Sequence, residues 1–208
     1  MLLYTSELEI DAAHIPAFLE WYAYRHAPDI YQIGFRACTC YRSVAGEMTL
    51  LDLYEIDSTD IFDTPQYRSI APSDPYSSEV LVHRRAKAHT VYAPAFVAPD
   101  PVDARALLNA DWIGVERFDC ADETGLLGYL RSGEAERILL AGAKRVRLAR
   151  RTQGGPKHVS HRPAWFLLVE WPQQPSIADI GNRLRERLGV SGHSFFVGQR
   201  LYPWKDKP

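Results

Sequence analysis

One interval occurs twice in this sequence and limits the folds open to it more than any other feature. Gly34 precedes Arg42 by the same interval that separates Gly142 from Arg150, and Tyr54-Glu55-Ile56 is matched by Val169-Glu170-Trp171. The elements around these anchors recur in the same order, so the chain reads as one supersecondary unit written twice.

Residues 2–10 mix β-branched, aromatic and polar residues as a half-buried strand does, and Asp11 follows as a helix cap. Ile15, Leu19, Tyr22 and His26 recur at spacings that place them on one helix face, and Pro28 is expected to end that helix. Gly34 opens a strand over 35–43, which forms a hairpin with 49–56 around Ala45 and Gly46. A weaker helix over 58–70 and a long strand over 80–92 complete the order βαββαβ, a ferredoxin-like unit. The order then restarts, with strands at 112–118, 143–151, 164–171 and 194–202 and helices at 123–131 and 177–188. Residues 152–163 form an insertion that lengthens one hairpin loop. The expectation is an α+β fold of tandem ferredoxin-like βαββαβ repeats, residues 1–95 and 109–208, joined by a Pro-rich connector over 96–108 and closing around one interior. Of the 208 residues, each repeat keeps roughly 100, enough for a modest core.

With 46% hydrophobic and 24% charged residues the composition is globular, and a net charge of -2 supplies no basic field for nucleic acid. No stretch approaches the roughly 20 apolar residues that span a bilayer, and the N-terminus has no basic segment followed by an apolar run. A cytoplasmic protein with no membrane partner is expected. Three cysteines cannot all pair, and Cys38 and Cys40 would point the same way from a strand, which reads as reduced thiols.

His26 is the strongest candidate for chemistry. It continues an apolar stripe yet sits in the last turn of its helix. Burial favours the neutral imidazole, whereas the helix dipole and nearby Asp29 favour the cation, and such competition can leave a base poised near neutrality. The alternative is a histidine that caps carbonyls at the helix end.

The stretch WYAYRHAPDIYQIGF, with YR at Tyr41 and YEI at Tyr54, resembles the EthD-like branch of the dimeric α+β barrel superfamily. The likeness is clearest over residues 1–92, where His26, Pro28 and Gly34 fit an aromatic helix with a histidine near its end, a proline and a strand-opening glycine. The resemblance implies a dimeric-α+β-barrel-type architecture, small aromatic or polyketide-derived ligands held between the sheets, and a pocket near His26. It does not choose among oxygenases, cyclases, isomerases and decarboxylases. The helix ETGLLGYLR lacks a matching histidine, which implies one active and one supporting half.

Alternation along 80–92 groups His83, Arg85, Lys87 and His89, and along the second strand Arg36, Cys38, Cys40 and Arg42. Pointing inward, these cations suit a carboxylate or phenolate; pointing outward, they are a solvated face. Asp52 shares a face with Tyr54, where it would orient His26 or take a proton itself, or else pair with Arg36 or Arg42. Tyr22, Tyr31 and Tyr54 offer hydroxyl donors unless they serve only in packing. His158 and His161 share the insertion but lack a third zinc ligand, so no metal is expected. The sequence has no Gly-rich nucleotide fingerprint and no GxSxG elbow, which argues against dehydrogenase and α/β-hydrolase chemistry.

The leading expectation is a cofactor-independent lyase or isomerase that transfers a proton next to a carbonyl on a small, largely apolar, anionic aromatic or polyketide-like molecule. His26 would be its acid or base, with Asp29 or Asp52 orienting it, and Tyr22, Tyr31, Arg42, Tyr54 and His83 would hold the ligand. The alternatives are a haem protein with His158, His161 or His193 as axial ligand, and a non-catalytic binding module. A homodimer through exposed sheet edges is compatible with each.

Overall fold

The computed structural model describes residues 1–46, 48–70, 75–99, 110–156, 162–175 and 178–203. After β1 (Leu2–Ile10) comes a helical stretch in three pieces: α1 (Ile15–Trp21), a π-helical turn (Tyr22–His26) and α2 (Ala27–Gln32). Pro28 therefore does not end the helix. A proline lacks an N–H and clashes with the carbonyl four residues back, and the wider π turn just before it relieves both faults. The helix stops instead at Gly34, whose φ of 106° favours glycine.

β2 (Ala37–Gly46), β3 (Leu50–Ile56), the short helices α3 (Pro65–Ser69) and α4 (Pro75–Leu81), and β4 (Arg84–Ala98) follow. The second half runs β5 (Trp112–Asp119), α5 (Glu123–Tyr129), another π turn (Leu130–Glu134), α6 (Ala135–Leu140), β6 (Arg145–Arg151), β7 (Trp165–Trp171), α7 (Ala178–Leu188) and β8 (Ser191–Tyr202).

Two expected boundaries move. The strand expected from residue 80 begins at Arg84, because α4 occupies the positions before it. At its far end β4 runs to Ala98 against β6, where a connector was expected from residue 96. A register shift between Pro94 and Phe96 accommodates the proline where the ladder is interrupted.

The strands are ordered β4-β1-β3-β2 and β8-β5-β7-β6, and the pairs β2–β8 and β4–β6 close them into one eight-stranded antiparallel barrel. On β3, Leu51, Leu53 and Glu55 point into the barrel, whereas Leu50, Asp52, Tyr54 and Ile56 point out toward the helices. The interior is filled by Leu3, Tyr41, Leu51, Tyr92, Phe166 and Phe196, as fits eight strands, whose barrel is just wide enough for side chains. Ion pairs complete it: Glu7 with Arg117 at 2.6 Å and with Arg162, and Arg147 with Glu55 at 2.8 Å and Glu170 at 2.7 Å. The space expected between the sheets is thus a solid core, and the room near His26 lies between the first sheet and its own helices.

Candidate functional site

Strand register assembles the sheet side of this site. Cys40, Asp52, Ser6 and His89 lie opposite one another across β2, β3, β1 and β4, and Cys38, Tyr54, Tyr4 and Val91 form the next row. β4 joins through a bulge: Glu7 pairs with Ala88 and Leu8 with Ala86, leaving position 87 unopposed. The bulge breaks the alternation expected for 80–92. Arg84 and His89 reach the helix-side cavity, whereas Arg85 pairs with Glu9 outside it.

The cavity measures ≈ 160 Å³ and is walled by Tyr4, Asp52, Tyr54, Arg84 and His89 from the sheet and by Phe18, Trp21, Tyr22 and His26 from the helices. The π turn sets His26 over the sheet. Its Nε2 is 3.0 Å from the Tyr54 hydroxyl, and its ring stacks on Trp21 at 4.9 Å. Tyr54 in turn donates a long hydrogen bond of 3.5 Å to Asp52 Oδ2. With the proton on Nε2, His26, Tyr54 and Asp52 form one directed chain of donors ending on a carboxylate. Asp52 Oδ1 is buried with no nitrogen or oxygen partner among the described residues. Beside this chain the Tyr4 hydroxyl meets His89 Nδ1 at 2.7 Å.

Burial divides the ionisable groups. It pushes His26 down to about 3, with Arg84 adding to the effect, so the imidazole is neutral at physiological pH. The expected poise of His26 near neutrality is therefore corrected, since desolvation wins over the helix end. Burial lifts Asp52 to about 7 against the opposing pull of Cys40, Arg84 and Tyr54. Tyr22 and Tyr54 are held well above the ordinary phenol range, again mainly by burial, and stay protonated donors.

Of the residues expected from sequence, His26, Asp52, Tyr22 and Tyr54 line this cavity. Asp29 does not; it pairs with Arg25 at 3.4 Å, one turn away on the same helical stretch. Tyr31 is not among the cavity's wall residues and has 43% of its surface exposed, and Arg42 is exposed on β2. His83 lies in the turn before β4, stacked on His14 with centroids 3.6 Å apart. The alternative ion pair of Asp52 with Arg36 or Arg42 is not formed, because Arg36 binds Asp57 at 2.7 Å. His158 and His161 lie outside the described residues. Arg84, Tyr4 and Trp21 are wall residues that the sequence reading missed. Arg84 reaches the wall only through the β4 bulge, which no glycine or proline announces.

The second half repeats the frame without these groups. At the end of its π turn, where the first half has His26, stands Glu134, bound by Tyr129 at 2.9 Å, Arg137 at 2.8 Å and Arg183 at 2.9 Å. Leu167 and Val169, paired with Leu148 and Val146, occupy the rows that hold Asp52 and Tyr54 in the first half. A cleft of ≈ 550 Å³ there is lined by Ala95, Phe96, Leu130, Arg131, Glu136 and Leu139 among others, with no histidine, cysteine, tyrosine or methionine. Among the described residues no group of three or more His, Cys, Asp or Glu is placed to hold a metal ion, and no helix is long and apolar enough to cross a membrane.

No family model matches the sequence, and no curated protein does. Solved structures match over nearly its whole length, at identities that speak for fold alone. A candidate chlorite dismutase superposes with a TM-score of 0.64 at 9% identity, covering 96% of this chain and 94% of that one. A heme-binding protein from Thermus thermophilus gives 0.59 at 9%, covering 96% and 90%. An anthrone oxidase-like protein gives 0.59 at 11%, covering 97% and 91%. The architecture is that of the dimeric α+β barrels.

Proposed function

We propose that the first-half cavity binds a small single-ring molecule and moves a proton next to a carbonyl, with Asp52 as the titrating group. The observation that carries this reading is the convergence of His26, Tyr54 and Asp52 on one cavity of ≈ 160 Å³. An apolar cavity of about 150 Å³ is known to hold one benzene ring. A general base works best when its pKa lies near the working pH. Asp52, at about 7, meets that condition and His26, at about 3, does not. The roles expected from sequence therefore shift. Asp52 takes the proton from the carbon, and neutral His26 positions Tyr54. A buried tyrosine hydroxyl and the Arg84 guanidinium face the oxygen on which charge develops. This is a lyase or isomerase step.

A haem reading has its own support, and by fold kinship the stronger one: a heme-binding protein shares the architecture, and none of the similar structures named above is a lyase or isomerase. Neither the His26 cavity nor the second-half cleft fits the group. A tetrapyrrole is larger than the drug-sized ligands that fill roughly 300 Å³ or more, and the His26 cavity is about half that. The larger cleft of the second half offers no axial ligand. His193 is engaged by Glu116 and by Arg185 at 2.6 Å, and packs over Gly181.

The two readings separate in one sample. Proton NMR in heavy water follows exchange at the carbon next to the carbonyl in a panel of single-ring aryl ketones and keto acids, and haem is then added. Exchange by the wild type that is lost in Asp52→Asn, without a Soret band, is the expected result. A Soret band with no exchange across the panel overturns the proposal in favour of haem.

A further inference from the structure

We propose that Arg84 is the anion anchor of the cavity, so that its ligand is a single aromatic ring bearing a carboxylate or phenolate whose charged end pairs with this guanidinium. The inference rests on the reading of the cavity as a ligand site and names the ligand class for it.

The chain's other arginines supply the contrast. Seven described arginines are buried or half-buried, namely 84, 117, 145, 147, 162, 183 and 200. Six of them have a carboxylate within 4.0 Å: Arg117 and Arg162 on Glu7, Arg145 and Arg147 on Glu170, Arg183 on Glu134 and Arg200 on Asp111. Of these seven, Arg84 alone has no carboxylate within 4.0 Å among the described residues. An arginine withdrawn from water without a counter-charge is costly, and at the other six described positions that cost is offset by a carboxylate.

Position completes the argument. Arg84 lines this cavity and also a more open surface cleft of ≈ 360 Å³ beside Glu9, Asp11 and His83, so it stands in the wall between them. A ligand entering from the cleft meets the guanidinium while its ring proceeds to Phe18, Trp21 and Tyr22. Arginine offers a planar fork that matches a carboxylate bidentately. The cavity's other ionisable groups, His26, His89, Asp52 and the phenols of Tyr4, Tyr22, Tyr54 and Tyr67, include one carboxylate. Asp52 shares the cavity with Arg84 but lies beyond ion-pair distance.

The test compares benzoate with its neutral counterpart benzyl alcohol by calorimetric titration of the full chain, wild type and Arg84→Gln. Charged hydrogen bonds contribute about 1.5–3 kcal/mol, so benzoate is expected to bind the wild type roughly ten- to a hundredfold more tightly. Arg84→Gln should lose this preference while keeping its affinity for benzyl alcohol. Because no described carboxylate pairs with Arg84, the substitution strands no partner, and the wild-type comparison needs no variant. Benzyl alcohol binding as well as benzoate, or a preference that survives in Arg84→Gln, overturns the anchor and leaves the cavity reading intact. If neither compound binds the wild type, the cavity reading itself fails and the anchor with it.

Discussion

Asp52 and His26 stand on one chain of hydrogen bonds, yet burial moves them in opposite directions, and that opposition has a measurable consequence. The carboxyl of Asp52 goes from an ordinary 3.8 up to about 7, so the folded state holds its proton longer than the unfolded chain and loses stability as pH rises across that window. His26 goes from 6.5 down to about 3, so the folded state refuses a proton that the unfolded chain accepts, and stability falls as pH drops across that window. Between about 4 and 6.5 the two slopes oppose each other in the wild type. Removing one exposes the other: the stability of Asp52→Asn relative to wild type should rise with pH between about 4 and 7 by up to about 1.4 kcal/mol per unit, read from urea midpoints. A flat difference would mean that Asp52 titrates as an exposed carboxylate. Tyr54→Phe cuts the chain in the middle and should cost about 1–3 kcal/mol in the same assay, because it leaves a buried imidazole N–H without its acceptor. At this scale the sequence named His26, Asp52, Tyr22 and Tyr54 as candidates, but it put the poise near neutrality on the imidazole, where the structure puts it on the acid. That depends on how much water the folded cavity retains, and one sequence does not encode it locally.

The helices and strands were the most legible part of the chain, for a physical reason. Alternation on β3 and the four-three-four spacing of Ile15, Leu19, Tyr22 and His26 report faces directly. What escaped were departures from regular period. The π turn at Tyr22–His26 carries the helix past Pro28, and the bulge opposite Glu7 re-aims β4 so that Arg84, from outside the expected face, joins His89 at the cavity. Each adds a backbone shift that leaves residue types unchanged. The glycines that open β2 and β6 test the equivalence of the halves. Gly34 and Gly142 have φ of 106° and 104°, and a Cβ at either would meet nothing closer than 4.0 Å. Gly34→Ala and Gly142→Ala should therefore each cost about 1–2 kcal/mol through backbone strain alone, and by similar amounts. A cost at one position only would show that the two helix ends are not equivalent.

For the whole molecule, the recurrence of Gly34…Arg42 and Gly142…Arg150 was enough to anticipate eight strands in two sheets of like order. The expectation of a ligand-holding interior failed because alternation could not reveal that two large inward tyrosines, Tyr41 and Tyr92, together with Phe166 and Phe196, fill the barrel. The Glu7–Arg117 pair, with no exposed side-chain surface, shows how closed that interior is. Glu7→Leu alone should cost about 3–5 kcal/mol by stranding the buried Arg117, whose one ion pair among the described residues is with Glu7, whereas Glu7→Leu with Arg117→Met should recover much of the loss, as measured by thermal and urea unfolding. Equal costs for the single and double variants would indicate that water reaches the pair.

The central claim is that burial at the first-half site holds its acid and its imidazole far from their ordinary ionisation. The most direct measurement is an NMR titration of the side-chain carboxyl carbon of Asp52 together with the ring of His26. The account predicts an Asp52 midpoint near 7 and a His26 ring that stays neutral below pH 5. A carboxyl that titrates near 4 and an imidazole that titrates near 6.5 would contradict it, because both groups would then be in water rather than in a closed site.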